Sequence, residues 1–273
     1  MTVVNGAGGA GTGLVETPNF RVLGACVEAR TPRRLDNDLA DAIVSELAPL
    51  GLVPDLDAFE RIFTRTVENS APTPGLAWNS FYRNTLARLR GGDRKQADGS
   101  VATFGRIYAD IARLVEGRTV LDVGSCFGFL PLLLAERLMG ALVVGCDLSA
   151  AAVALADRVA RSLRSRAAFV VADAGRLPFR DRAMDTVTLV HLLEHLSPAQ
   201  GRRVLCEALR VADRRVLVAV PVEAMPNPAF GPVRTFRVAD LAALGAAVGA
   251  ATVSRHRAWE SDGAWLQLDR RAG

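Results

Sequence analysis

The chain has 273 residues, half of them hydrophobic, enough for one large domain or a domain with a smaller cap. Its 33 Lys and Arg against 29 Asp and Glu leave a formal charge of +4 with no long basic run, which argues against a nucleic-acid partner. Cys26, Cys126, Cys146 and Cys206 form no CxxC pair, no apolar stretch reaches the ~20 residues of a membrane span, and the start lacks a signal-peptide pattern, so a soluble, cytoplasmic protein without a membrane partner is expected.

Asn5 to Gly13 reads NGAGGAGTG. Glycine at that density predicts a flexible tail over 1–13. Its spacings mimic nucleotide loops, but no strand precedes it and no helical run follows. Helical periodicity then covers Leu35–Leu47, behind Thr31-Pro32 as a start signal, and Asp55–Val67, which stops at Asn69-Ser70-Ala71-Pro72. Leu76–Leu89 and Val101–Val115 continue it, separated by the hydrophilic Gly91–Lys95 loop. A mainly helical cap region over 14–100 is predicted, followed by an α/β domain over 101–273.

From Gly117 the texture changes. Strand-like runs at Thr119–Val123, Ala141–Cys146, Ala167–Val171, Thr186–Val190 and Arg215–Val220 alternate with helical runs at Leu130–Leu138, Ala150–Leu163, Pro198–Val211 and Val238–Val248. Continuous apolar strands between helices predict a parallel sheet covered on both faces. Thr252–Arg257 and Ala264–Leu268 have no helix between them, which predicts an antiparallel edge.

The first of these strands runs into Gly124-Ser125-Cys126-Phe127-Gly128-Phe129 and then a helix. Ligands of parallel sheets sit outside such strand ends, where glycine lets the backbone approach and the helix start offers free N–H groups. A glycine pair alone is equally a tight turn. The acids raise its weight: Asp147 ends the next strand, where it can accept from both hydroxyls of a ribose, and Asp173 ends the third, where an adenine amino group can donate to it. Either acid alone reads equally as a helix cap.

At this point the chain resembles the class I S-adenosylmethionine-dependent methyltransferases. VLDVGSCFGFL is similar to their VLDxGxGxG signature, VVGCDLS to their second motif and VVADAGRLPF to their third. MDTVTLVHLLEHL and RRVLVAVP resemble their fourth and fifth strands. The resemblance covers about residues 100–273. It implies a Rossmann-like seven-stranded, mostly parallel sheet with an antiparallel edge, and S-adenosylmethionine as cofactor. By the same resemblance Asp122 would meet the methionine end, Gly124 and Gly128 would admit the cofactor, Asp147 would bind the ribose, and Asp173 with the Ala174 amide would read the adenine. Cys126, Leu148 and His191 complete the implied cofactor set. Cys126 departs from the pattern, since a glycine belongs at that position. Within the family the chain looks most like the mycofactocin-oligosaccharide methyltransferases of actinobacteria, which implies a glucose hydroxyl as acceptor.

His191-Leu192-Leu193-Glu194-His195 spells HxxEH, also the inverted zinc-protease signature. That signature needs a helix, and here the segment directly follows a strand. Three readings remain: His195 packs or caps a loop; it removes the proton of an acceptor hydroxyl; or His191, Glu194 and His195 hold a divalent metal that polarises that hydroxyl. His256, on the closing strand pair, is expected to be exposed. For the acceptor, whether small molecule or oligosaccharide, Trp78, Phe81, Tyr82 and Arg83 cluster in the cap, and Phe104 and Tyr108 lie one turn apart on a helix. Tyr108 is selected because a buried hydroxyl needs a partner. The connection Pro221–Pro232 reads as a lid, with Arg234 and Arg237 behind it as candidates for an anionic group of the acceptor. The competing functions are a nicotinamide oxidoreductase, which the missing GxGxxG glycines disfavour, an HxxEH metallohydrolase, and a non-catalytic protein that binds S-adenosylmethionine.

Overall fold

The computed structural model describes residues 2–3, 14–23, 26–91, 99–222, 231–249 and 252–271. The expected tail, apart from Thr2 and Val3, lies outside the described residues. So do the 92–98 stretch, which takes in most of the expected hydrophilic loop, and the 223–230 stretch of the expected lid. The chain divides into two compact units, the first running to Gly105 and including Gly231, the second beginning at Arg106.

The first unit contains strands that the periodicity did not predict. β1 (Thr2–Val3), β2 (Leu14–Glu16), β3 (Phe20–Leu23) and β4 (Cys26–Ala29) form an antiparallel sheet in the order β1-β4-β3-β2. Phe20 and Val22 are buried and Arg21 and Leu23 exposed, the alternation of a half-buried strand. Helices α1 (Leu39–Leu47), α2 (Leu56–Glu68) and α3 (Pro74–Arg90) complete this unit. α1 starts four residues after the predicted Leu35, because Pro32–Arg34 forms a separate 3-10 turn. Asp55 caps α2 and Thr73 caps α3, each side chain accepting from a backbone N–H. α4 (Ser100–Leu114) begins in the first unit and continues into the second.

The second unit is a seven-stranded sheet. Its elements are β5 (Thr119–Val123), α5 (Phe129–Arg137), β6 (Leu142–Asp147), α6 (Ala150–Leu163), β7 (Ala168–Val171), β8 (Met184–Val190), α7 (Pro198–Val211), β9 (Ala212–Val220), α8 (Val238–Gly249), β10 (Val253–Glu260) and β11 (Ala264–Arg270). The order is β10-β11-β9-β8-β5-β6-β7, with β9, β8, β5, β6 and β7 parallel and β11 antiparallel to both β9 and β10. This is the Rossmann-like architecture with an antiparallel edge. The chain winds outward from β5 to β7, then returns to β8 on the other side of β5, so the sheet reverses between β5 and β8. Open α/β sheets bind ligands at that reversal.

Both faces of the sheet are apolar, which explains the unbroken hydrophobic runs. Val120, Val143, Leu217 and Trp265 pack with Ile107, Ile111, Leu130 and Leu134 on one face. Leu121, Val187, Val218 and Leu266 pack with Leu205, Leu209 and Leu241 on the other. Alternation within β5 sends Val120 and Leu121 to opposite faces. Among the described residues no helix is long and apolar enough to cross a membrane.

A single carboxylate ties the starts of three strands. Asp185 accepts from Arg118 N–H at 2.7 Å, Thr119 N–H at 3.0 Å, the Thr119 hydroxyl at 2.9 Å and Arg214 Nε at 3.0 Å. Gly117, at φ +80°, passes so close that a Cβ there would lie 2.1 Å from Asp185 Cγ. Burial alone would raise the pKa of Asp185, but the bonds from Arg118, Thr119 and Arg214 outweigh it and hold the carboxyl below its ordinary value. Asp185→Asn is therefore expected to cost about 2 kcal/mol at pH 7, in chemical denaturation. The native contribution is present above about pH 4 and is lost as pH falls through the lowered folded value, so the gap between wild type and variant should narrow and close as pH falls below the ordinary carboxylate range.

Candidate functional site

The loop between β5 and α5 is fixed to the end of β6. Gly124 N–H and Ser125 N–H both donate to the Cys146 carbonyl, at 2.8 and 2.9 Å, and Gly128 N–H donates to Ser125 O at 2.7 Å. Gly124 and Gly128 sit at φ +75° and +72°. A Cβ on Gly124 would lie 2.9 Å from the Leu192 side chain, and one on Gly128 only 2.4 Å from the Phe169 ring. Cys126, where the resemblance expects glycine, sits at φ +47°. The cysteine thus takes the left-handed backbone a glycine would take, at about 1–2 kcal/mol of strain. Its N–H donates to Asp147 Oδ2 at 2.8 Å, while Ser149 N–H donates to Asp147 Oδ1 at 2.9 Å. Asp147 is thereby oriented by the loop it faces. Ser125 Oγ is buried and has no hydrogen-bond partner among the described residues.

Asp122 lies one strand position before the end of β5 and is 4% exposed. Its register partner on β8 is Thr188, whose hydroxyl donates to Asp122 Oδ1 at 2.7 Å. Burial pushes the carboxyl up to about 7; the Thr188 bond opposes this and the charge of Asp147 adds to it. Thr188 escaped sequence reasoning, although a threonine inside a strand buried on both faces was its signal. Tyr108 on α4 feels the same field: burial first, then the charges of Asp122 and Cys126, push its hydroxyl well above its ordinary value. The phenol therefore stays protonated and able to donate.

The next strand ends continue the rim. Leu148 is 75% exposed directly after the half-buried Asp147. Asp173 is exposed, and its Oδ1 accepts from Gly175 N–H at 2.7 Å, with Ala174 half-buried between them. A Cβ on Gly175 would lie 2.7 Å from Arg203 Nε and 3.3 Å from Asp173 Oδ1, so Arg203 of α7 flanks that acid. No local pattern marked Arg203.

β8 ends at Val190, and His191 follows at φ +49° with its N–H on Ala219 O at 2.8 Å. Leu193–His195 is a single 3-10 turn, so the zinc-protease helix is absent from HLLEH. Glu194 is 3% exposed; its Oε1 lies 3.7 Å from His191 Nδ1 and 3.9 Å from His195 Nε2. Burial, reinforced by the positive charge of a protonated His195, lowers the His191 pKa to about 4, so its imidazole is neutral at pH 7. Among the described residues no group of three or more His, Cys, Asp or Glu side chains is placed to hold a metal ion, so HLLEH does not supply the metal triad its spelling suggested.

The other acceptor candidates fall in different places. Trp78, Phe81 and Tyr82 are buried together with Phe63 in a ring cluster of the first unit, with Trp78 and Phe81 edge to face at 5.5 Å. They are core, and Arg83 beside them is exposed. Arg234 Nε donates to Leu193 O at 3.0 Å, its guanidinium lies 4.3 Å over the Phe236 ring, and a Cβ on Gly201 would lie 2.3 Å from its Nη2. That side chain is tied to its own chain beneath the HLLEH turn. Arg237 is exposed at the start of α8, its N–H on Asp240, and His256 is exposed on β10.

Residues 120–214 match the family model for a methyltransferase domain. The chain is 35% identical over 134 residues to a demethylmenaquinone methyltransferase of Thermus thermophilus, covering 49% of this chain and 60% of that protein. It is 41% identical over 95 residues to one of Beutenbergia cavernae, covering 35% and 36%. The chain thus spans less than two thirds of these curated relatives. Among solved structures, magnesium protoporphyrin IX methyltransferase of Synechocystis with bound SAH matches with TM-score 0.51 at 18% identity, over 72% of this chain and 99% of that one. A SAM-dependent methyltransferase of Aquifex aeolicus matches with TM-score 0.51 at 18% identity, over 68% and 97%. At these identities the likeness shows the fold.

The buried Asp122 gives the domain a measurable pH signature. Its folded pKa lies above the unfolded value, so its contribution to stability is present below about pH 4 and is lost as pH rises through about 7. Asp122→Asn keeps an acceptor for Thr188 and removes the charge. The variant should be more stable than wild type at pH 8 by a few kcal/mol, and the difference should vanish near pH 4, in thermal melts without ligand.

Proposed function

We propose that this chain is an S-adenosylmethionine-dependent methyltransferase acting on a small-molecule acceptor. The observation that carries the reading is the row of adjacent strand ends around the sheet reversal: the left-handed 124–128 loop on β5, Asp147 on β6, and Asp173 just beyond β7. The residues present fit the cofactor. The buried Ser125 Oγ, without a partner among the described residues, the exposed Leu148 and the oriented Asp147 offer a hydroxyl, an apolar cover and an acceptor for a diol. Bound S-adenosylmethionine supplies a methyl group already activated on sulfonium.

Each residue has a separate task in this reading. Asp122, ionised, holds the ammonium of the methionine end, and Thr188 keeps its carboxylate in place. Asp147 accepts from the ribose hydroxyls, Leu148 covers the adenine, and Asp173 with the Ala174 amide reads its edge. Gly124, Gly128 and Cys126 bring the backbone close. Transfer then requires alignment of the acceptor and removal of its proton. His195 is the proposed base: it is the more exposed of the two imidazoles, whereas His191 is a weak base when its pKa is near 4. Tyr108 is proposed to donate to the acceptor.

The acceptor atom proposed is oxygen, on a small molecule or a glycoside such as a glucose of mycofactocin oligosaccharide, because a hydroxyl gains most from loss of its proton. The names of the two relatives favour a second acceptor, a demethylated naphthoquinone in its reduced form. There the same base would act on a ring hydroxyl and make the neighbouring carbon nucleophilic.

Calorimetric titration tests the donor site. S-adenosylmethionine and SAH should both bind, NADH should not, and Asp147→Ala should weaken the two sulfur nucleotides by about tenfold or more. Silence with both, or binding of NADH, overturns the reading. Product mass after incubation with glucosides and with the reduced demethylated naphthoquinone separates the two acceptors. On the one that is turned over, His195→Ala should lower kcat by about 10²- to 10⁴-fold and leave S-adenosylmethionine binding intact.

A further inference from the structure

The opposite edge of the same sheet holds a second concentration of charge. Arg182 stands just before β8, Arg210 lies in the last turn of α7, and Arg270 ends the antiparallel β11. Strand direction puts all three at the amino-terminal edge of the parallel strands. β8 alone, seven residues long, separates that edge from His191 by about 20 Å. With Asp181, Cys206 and Thr252 the three arginines line a cavity of about 300 Å³.

The three cations differ in how they are balanced. Arg210 is saturated: Nε and Nη2 bond Glu207 at 2.8 Å, Nη1 bonds Asp181 at 2.9 Å and Phe179 O at 2.8 Å, and Nη2 also reaches Leu177 O at 3.1 Å. Arg270 Nη1 donates to the carbonyls of Leu209 and Ala212, which fixes the guanidinium without neutralising it. Arg270 Nε is buried and has no hydrogen-bond partner among the described residues. Arg182 is exposed and makes no ion pair among the described residues. Its backbone is left-handed at φ +53°, pinned by its N–H on Arg210 O at 2.9 Å.

Two guanidinium groups therefore line one cavity, and among the described residues no carboxylate is in ion-pair contact with either. Burial first, and the charge of Arg182 next, pull the pKa of Arg270 below its ordinary value, and Asp213 and Asp181 only partly offset this. Asp181 is committed to Arg210. Ordinary surface arginines extend into water; Arg270 is instead clamped and half-buried.

We propose that this cavity binds a small phosphate-bearing anion, its phosphate held between Arg182 and Arg270, at a site separate from the methyl-transfer site. A phosphate dianion takes charge-assisted bonds from the Arg182 fork and from Arg270 Nη2, the nitrogen that neither the Leu209 and Ala212 carbonyls nor burial removes, and cancels the mutual repulsion of the two cations, which a monoanionic carboxylate does only by half. Thr252 lies on the same wall. The volume, at the small end for ligand pockets, suits a phosphate with a few further heavy atoms.

The test is calorimetric titration of the full chain at constant ionic strength with inorganic phosphate and with glucose 6-phosphate, using sodium chloride as blank. Saturable binding at one site is expected, weakened about tenfold or more in Arg182→Gln, whose side chain makes no hydrogen bond or ion pair among the described residues. Arg255→Gln, on the exposed face of β10, should leave it unchanged, as should saturating SAH. Tighter glucose 6-phosphate assigns a phosphate monoester; equal or weaker binding assigns the free ion. Heat without saturation, equal losses in Arg182→Gln and Arg255→Gln, or displacement by SAH would overturn the proposal. Only the SAH comparison rests on the donor-site reading; the phosphate, Arg182→Gln and Arg255→Gln outcomes stand whether or not SAH binds.

Discussion

The register of β5 against its two neighbours is the constraint on which the site rests. Asp122 pairs with Gly145 on one side and Thr188 on the other, and Asp147 with Val171. Side chains alternate along a strand, so a slip of one residue would turn Asp122 to the opposite face and bring Leu121 or Val123 to its place. The slip would also separate Asp122 from the hydroxyl that satisfies it and the loop amides from the Cys146 carbonyl. The two apolar faces and the Asp185 carboxylate at the strand starts hold the register against this. Three acids presented at one rim are the result.

What is held there is costly to the fold. A carboxyl at 4% exposure with a pKa pushed up to about 7, a cysteine and a histidine in left-handed backbone, and a buried hydroxyl without a partner among the described residues all lie within the rim. None helps the domain fold, and each is tolerated because the surrounding sheet over-determines it. The glutamate between the two histidines fits the same pattern. The two imidazoles on either side of it read alike in sequence, yet His191 is half-buried and neutral at pH 7 while His195 is more exposed.

Local signals carried much of the fold into the sequence. Thr119–Val123, Ala150–Leu163 and Pro198–Val211 were legible to the residue, because the last two begin at serine caps, Ser149 and Ser197, and the first is bounded by glycines. The strands of the first unit were not legible, since two to four residues hold too little periodicity to stand out. At the site, the glycines and acids were visible because each ends its own strand. Thr188 and Arg203 were hidden, because their roles arise from pairing between segments distant in sequence. Arg234 shows the converse: a charge behind a proline-rich connection reads the same whether it faces an acceptor or, as here, the Leu193 carbonyl.

The Phe169 ring joins positions that a sequence would treat as independent. It occupies the space where a Cβ on Gly128 or on Gly145 would fall, at 2.4 and 2.8 Å. Neither glycine is therefore free to vary while the ring remains, and a smaller residue at 169 alone would leave a void beneath the loop. The three sites form one mutational unit, in which the effect of a change at any of them depends on the other two. Descendants of this sequence that enlarge either glycine must pass through, or compensate, a change at 169.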